Sequence, residues 1–340
     1  MIIAEPTRRP NRSHWGLVLA AGDGTRLQEH VQQVLGQRLP KQYVNFIGRH
    51  SMIEHTFKRA ETLISRQNIM TIVGKQHLVH VEVRQQLASR YPGTVVVQPA
   101  NKETGPGILL PLMHIYKRCP EAIVSVFPSD HFILEEARFM THVELAAQVV
   151  TSNPSRIVLL AMEAHSPEVE YGYLVPMAQS GEIDLHGTRG VARFVEKPNR
   201  RVAHELFGSG ALWNTMVMVF KVRTLLQMVE RIDANIHQQF ARIFDALGTS
   251  DEQKTVEAVY GGLQPINFSK AIVEHISQRY PGTISVLPVL QVYWSDLGSP
   301  QRLLESQRLF GPRRPRAPTT RSPLTLDNPE PVRITVRALA

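Results

Sequence analysis

Two glycines and an arginine offer the first candidate chemistry. Leu19-Ala20-Ala21-Gly22-Asp23-Gly24-Thr25-Arg26-Leu27 closes a short apolar run. Two glycines in one turn after a buried strand let backbone N–H groups approach an anion. Arg26 adds a forked, permanently charged donor for phosphate oxygens. The turn is not a dinucleotide fingerprint, because Gly-x-Gly-x-x-Gly would need glycine where Leu27 stands, and there is no Walker A loop. On the glycines alone an ordinary turn fits equally well. Arg26 directly after Gly24-Thr25, with Pro40-Lys41-Gln42 downstream, favours an anion site.

Carboxylates are the second candidate. Asp130 follows the apolar run 122–127, and Asp296 follows residues 291–294, expected as a strand. Ligands of α/β sheets bind at the carboxyl ends of parallel strands. Mg²⁺ takes one or two carboxylates and fills its octahedron with waters and substrate phosphates. On the residues alone, a helix N-cap for Asp130 and a turn residue for Asp296 are the preferred readings. Gln98 carries the donor and acceptor a purine edge requires, and an ordinary strand-end glutamine fits as well. The 14 histidines show no metal-binding spacing, and Cys119 is the only cysteine, which excludes a disulfide framework and a cysteine-based zinc site.

These residues need a scaffold. Spans 16–19, 69–73, 94–97, 122–127 and 156–161 read as strands. Helical stretches at 52–64, 79–89, 105–116 and 139–150 separate them, which predicts βαβ units and a mostly parallel sheet. After residue 165 the rhythm shortens, with strands at 171–175, 191–196 and 216–220 and helices at 222–231, 236–247 and 252–260. The expected organisation is a basic extension (1–13), one domain (14–310) and a Pro/Arg-rich tail (311–340). The domain divides near residue 165 into a nucleotide half (14–165) and an acceptor half (166–310). Residues 332–336 could add an edge strand.

Of the 340 residues, 43% are hydrophobic and 20% charged, an ordinary globular composition. The net charge is +8, of which the extension holds +2 and the tail +4, leaving a modestly basic core suited to small anions. Solvated ends explain that excess better than a nucleic-acid surface, which would show as salt-dependent binding lost with residues 311–340. No apolar run reaches the length of a membrane span and no signal-peptide pattern opens the chain, so a cytoplasmic location is expected.

Seven segments in order resemble the sugar-1-phosphate nucleotidylyltransferases, most of all the mannose-1-phosphate guanylyltransferases. They are Gly22-Asp23-Gly24-Thr25-Arg26-Leu27, Pro40-Lys41-Gln42, Phe127-Pro128-Ser129-Asp130-His131, Tyr171-Gly172-Tyr173, Phe194-Val195-Glu196-Lys197-Pro198, Leu212-Trp213-Asn214-Thr215 and Trp294-Ser295-Asp296-Leu297-Gly298-Ser299. The chain departs from the family at Ala21, at Gln28-Glu29-His30, at Lys102-Glu103-Thr104-Gly105-Pro106-Gly107 and at Ser269. No stretch of these 340 residues is expected to form the isomerase domain or the β-helix tail of longer members.

The resemblance implies an α/β, Rossmann-like three-layer nucleotidyltransferase fold with a mixed, mostly parallel central sheet. It implies formation of an NDP-sugar and pyrophosphate from an NTP and a sugar 1-phosphate, with GTP and mannose 1-phosphate the preferred pair. The alternatives are UTP or dTTP with glucose 1-phosphate, or a non-catalytic sugar-nucleotide sensor. The implied catalytic cations are Arg26 and Lys41 on the triphosphate and Lys197 on the sugar phosphate. Ala21, Gly22, Gly24, Thr25, Gln98, Thr104 and Gly105 would bind nucleotide. Gly172, Glu196, Lys197 and Asn214 would bind the sugar phosphate. Asp130 and Asp296 would hold Mg²⁺. The expected partners are these small molecules, without nucleic acid or membrane, and a homodimer is the assembly considered.

Overall fold

The chain alternates short, largely apolar strands with amphipathic helices, a pattern that buries a sheet on both faces. The computed structural model describes residues 13–178 and 186–310; residues 1–12 and the tail, with the strand expected at 332–336, lie outside them. The strands are β1 (His14–Ala20), β2 (Ile69–Gly74), β3 (Val95–Gln98), β4 (Ile123–Pro128), β5 (Phe132–Ile133), β6 (Ile157–Glu163), β7 (Tyr173–Pro176), β8 (Arg189–Val195), β9 (Leu212–Lys221), β10 (Ile284–Val289) and β11 (Trp294–Ser295). Nine form one sheet in the order β3-β2-β1-β4-β9-β6-β10-β8-β7. The β3-β2-β1-β4 block is parallel, as is β6-β10, whereas β9 runs against β4 and β6, and β8 against β10 and β7. The sheet is therefore mixed, as the resemblance implied.

Alternation along β1 shows how the layers are specified. Trp15 and Leu17 face one core; Val18 and Ala20 face the other. The first core is closed by α4 (Thr104–Arg118), α7 (Val222–Ile232), α8 (Ala234–Ala246) and α9 (Glu252–Gly262). The second is closed by α1 (Gln28–Leu35), α2 (Met52–Glu61), α3 (Val81–Ala88), α5 (Glu136–Ser152), α6 (Arg200–Gly208) and α11 (Pro300–Phe310). Helices thus lie on both faces, giving three layers.

Two expectations are corrected. Residues 284–289 were not expected as a strand, yet β10 sits at the centre of the second half, between β6 and β8. Its Pro288 argues against a central strand, but β8 pairs only with Ser285 and Val286, so the proline lies beyond that ladder. The strand expected at 291–294 does not form, because Gln291 takes a left-handed φ of 56°. Instead β11 pairs antiparallel with β5 in a separate two-stranded ribbon. The sheet itself is continuous, with β9 inserted between β4 and β6.

Candidate active site

The glycine turn leaves the carboxyl end of β1. Two of its carbonyls are held: buried Gln42 donates to Ala20 O at 3.0 Å and Gly22 O at 2.8 Å, and the Tyr43 hydroxyl donates to Ala20 O at 3.0 Å. With these carbonyl oxygens taken up by side-chain donors, the turn suits an anion. Gly24 has φ 61°, and a Cβ there would lie 3.0 Å from Lys41 N, so both conformation and space require glycine. Gly24, Thr25, Arg26, Lys41, Asp130 and Gly298 line a cavity of about 210 Å³. Ala21 is buried and Gly22 exposed at the entry to the turn. Asp23 accepts hydrogen bonds from Gln76, His77 and Asn101 at 2.9, 3.0 and 2.8 Å. Burial pushes its carboxyl up, but these donors outweigh that and hold it below the usual range.

The small ribbon brings the two aspartates together. Ser295 pairs with Phe132, so Asp296 follows the ribbon where Asp130-His131 enters it. Lys41 lies between them, its ammonium 2.9 Å from Asp130 Oδ2 and donating to Asp296 O at 2.7 Å. Burial raises both carboxyls, but Lys41 overcomes it at Asp130, and Lys41 with Arg302 and the Tyr171 hydroxyl overcomes it at Asp296, so both lie below the usual range. His131 accepts from Trp294 Nε1 at 3.1 Å, and burial pushes it down to about 4. It is therefore neutral near pH 7.

Around Asp296, sequence reasoning missed Arg302, Glu168 and Glu170, and quoted Tyr171 only as part of a motif. The Tyr171 hydroxyl donates to Asp296 Oδ1 at 2.9 Å. Arg302 Nε lies 3.0 Å from the same oxygen, and its terminal nitrogens reach Glu168 and Glu170 at 3.2 and 3.3 Å. Glu170 also pairs with Arg26. Arg302 stands three residues past the last motif, and only its place in the first turn of α11 could have flagged it.

The acceptor-side residues form a second group. A Cβ on Gly172 would lie 2.6 Å from Glu196 Oε2 and 3.4 Å from Asn214 Cβ. Asn214 donates its N–H to Gly172 O at 2.8 Å, beside a register shift in the β6–β9 pairing and Met216 at φ 62°. Such irregularities re-aim side chains. Trp213 is buried in the core. β8 ends at Val195, which releases both Glu196 and Lys197 from strand alternation. Burial, reinforced by Glu274 and opposed by Lys197, raises the Glu196 carboxyl. Lys197 is exposed with φ 45° and has no ion-pair partner among the described residues, so it does not join the Arg26–Lys41 cluster.

Residues 98–105 form a third group. Gln98 is buried, with Oε1 3.5 Å from the Tyr260 hydroxyl. Thr104 Oγ1 accepts from Phe268 N at 2.9 Å, and Gly105 N donates to Ile266 O at 2.7 Å. The polar groups of Thr104 and Gly105 thus tie this wall to the segment before α10 (Glu274–Arg279).

No group of three or more His, Cys, Asp or Glu side chains among the described residues is arranged to hold a metal. The pair Asp130 and Asp296 nevertheless fits a hard cation that also uses substrate oxygens. Asp130 lines the cavity, and Asp296 Oδ2 has only guanidinium contacts at 3.4 Å.

Known proteins resemble this chain over most of its length. Xanthan biosynthesis protein XanB of Xanthomonas campestris is 24% identical over 291 residues, covering 85% of this chain and 58% of that protein. Mannose-1-phosphate guanylyltransferase 2 of Escherichia coli O157:H7 is 26% identical over 300 residues, covering 84% and 58%. The chain therefore spans less than three fifths of these curated relatives. Among solved structures, mannose-1-phosphate geranyltransferase from Thermus thermophilus superposes with a TM-score of 0.69 at 22% identity, covering 84% of this chain and 76% of that one. A mannose-6-phosphate isomerase structure from Helicobacter pylori gives 0.63 at 19% identity, covering 83% and 99%. Both share the fold. The nucleotidyl transferase family model matches residues 15–310, a span that holds the glycine turn, the aspartate ribbon and the whole sheet, and the chain belongs to that family.

Proposed function

We propose that this chain joins an NTP to a sugar 1-phosphate, releasing pyrophosphate and an NDP-sugar, with GTP and mannose 1-phosphate as the preferred pair. The observation that carries the reading is the convergence of Arg26, Lys41, Asp130 and Asp296 beside a glycine turn whose Ala20 and Gly22 carbonyls are occupied by Gln42. A phosphate oxygen is already anionic at neutral pH and needs no general base. The difficulty is bringing two anions together, which calls for positioning and charge neutralisation.

Arg26 and Lys41 take the triphosphate, with Gly22, Gly24, Thr25 and the backbone at Ala21 cradling it. Lys197, past the end of β8, takes the sugar phosphate. Glu196 and Asn214 accept and donate to sugar hydroxyls over the backbone of Gly172. Gln98 reads the base, and Thr104 and Gly105 shape its wall. Asp130 and Asp296 would hold Mg²⁺, which when bound offsets charge on the phosphate oxygens. The mannose and guanine assignment rests on likeness to relatives whose names carry that activity. A coupled pyrophosphate-release screen of five NTPs against mannose, glucose, galactose and N-acetylglucosamine 1-phosphates tests it. Turnover with GTP and mannose 1-phosphate above all other pairs is expected. Another preferred pair reassigns the substrates, and no turnover by any pair turns the reading to a sugar-nucleotide sensor.

A further inference from the structure

We propose that Arg302 is a positioning residue for the transfer reaction, fixing the Asp296 carboxylate so that one oxygen is anchored and the other is left for the nucleotide side. The inference rests on the nucleotidyl-transfer reading above. The two oxygens of Asp296 are not equivalent. Oδ1 accepts from the Tyr171 hydroxyl and from Gly298 N, both at 2.9 Å, and is ion-paired at 3.0 Å with Arg302 Nε, which makes no hydrogen bond among the described residues. Oδ2 has only Arg26 and Arg302 nitrogens at 3.4 Å, a long contact for a charged pair.

The two arginines share Glu170 and Asp296 but differ in freedom. The Arg26 side chain is 50% exposed, and that of Arg302 is 18% exposed. Arg302 is also held by Glu168, by Tyr171 with its guanidinium carbon 5.0 Å from the ring centroid, and by its N–H to Ser299 Oγ at 3.3 Å. Arg26 can therefore turn to a phosphate while Arg302 keeps Asp296 and Glu170 paired. A lysine carries the charge but not the planar fork that spans two carboxylates.

The test uses the full chain with Arg302→Gln, Arg302→Lys, Asp296→Asn and the Arg302→Gln/Asp296→Asn double variant. Turnover is measured with the pair the screen selects. GTP affinity is measured by calorimetry in Mg²⁺ and in EDTA, and folding by thermal melt. Arg302→Gln should lower kcat about 10–100-fold with KM moving less than about threefold, the size of loss expected from a misplaced group. The gain in GTP affinity on adding Mg²⁺ should shrink in Arg302→Gln to that of Asp296→Asn, Arg302→Lys should not restore it, and the double variant should be no worse than Asp296→Asn. Full retention of the Mg²⁺ gain by Arg302→Lys, or multiplicative losses in the double variant, overturns the inference. Should Arg302→Gln not fold, Arg302→Lys carries the test alone. Asp296→Asn inactive with Arg302→Lys active sinks this inference only, whereas a wild type that neither binds nor turns over any NTP sinks the functional reading with it.

Discussion

The carboxylates at the two ends of the candidate site sit in opposite electrostatic environments. Asp130 and Asp296 are partly or fully buried, yet Lys41, joined at Asp296 by Arg302 and the Tyr171 hydroxyl, keeps both below the usual range. Glu196 is also shielded from water, but only Lys197 opposes the cost, so its carboxyl is raised. The first pair is built to stay charged beside a cation; the second is tuned by shape and desolvation. The difference suits the proposed function, in which one end neutralises the triphosphate and the other, beside Lys197, holds the sugar 1-phosphate and its hydroxyls. It also supplies the contrast that variants can break.

The largest effect falls at the charged end. If Asp130 and Asp296 share one Mg²⁺ with the triphosphate, removing either ligand costs about 3–5 kcal/mol of transition-state stabilisation, or about 10²–10⁴ in kcat. Asp130→Asn and Asp296→Asn should each show this while remaining folded by thermal melt. The double variant should fall well short of the product, because the two act as a unit. Multiplicative losses would separate them and dissolve the contrast.

At the other end the expected losses are smaller and appear in KM. A methyl on Gly172 would stand 2.6 Å from Glu196 Oε2. Overpacking of this kind costs about 1–3 kcal/mol, so Gly172→Ala should raise the KM for the sugar 1-phosphate about 10–100-fold while barely moving that for the NTP. The raised carboxyl of Glu196 gives the pH test. As pH falls, Glu196 takes its proton before Asp130 and Asp296 do, so kcat/KM for the sugar phosphate should drop on the acid side while NTP binding persists. Glu196→Gln should abolish that limb, and an unchanged profile would show that Glu196 does not meet the sugar.

How much of this was legible in the sequence differs between the same two ends. β1, β2, β3, β4 and β6 were readable because each is a short run dominated by apolar, often β-branched residues, and β4 with the glycine turn placed Arg26, Lys41 and Asp130. The ribbon that sets Asp296 beside Asp130 was not, because two-residue strands carry no periodicity. β10 was hidden by Pro288, which matters only in a strand paired along its whole length. Arg302, Glu170 and Tyr171 were invisible as a group, since pairing across 132 residues leaves no local trace.

A moderate effect is expected at Gln98. Its Oε1 is 3.5 Å from Tyr260, whose hydroxyl also donates to Pro106 O at 3.1 Å, so truncation should disturb the fold little. Gln98→Ala should raise the KM for GTP about tenfold and narrow the preference for GTP over ATP, because sites that pair polar edges discriminate by leaving mismatched groups unsatisfied. An unchanged base preference would move recognition to the backbone of residues 101–105.

The smallest effect should follow removal of residues 311–340. Every side chain assigned a role precedes Phe310, and α11 is anchored by that residue, whose ring centroid lies 6.1 Å from Phe132 and whose edge would meet a Cβ on Gly48 at 3.2 Å. A cut after Phe310 keeps this anchor and the hold of Arg302 on Asp296. The tail carries +4 of the net charge of +8, so its loss should alter the pI and non-specific binding rather than turnover. A change of kcat within about twofold, the scale of an ordinary surface change, is expected in steady-state assays of the truncated chain. Loss of most activity in a truncation that still melts cooperatively would place part of the tail over the charged end, and the contrast between the two ends would then have to include it.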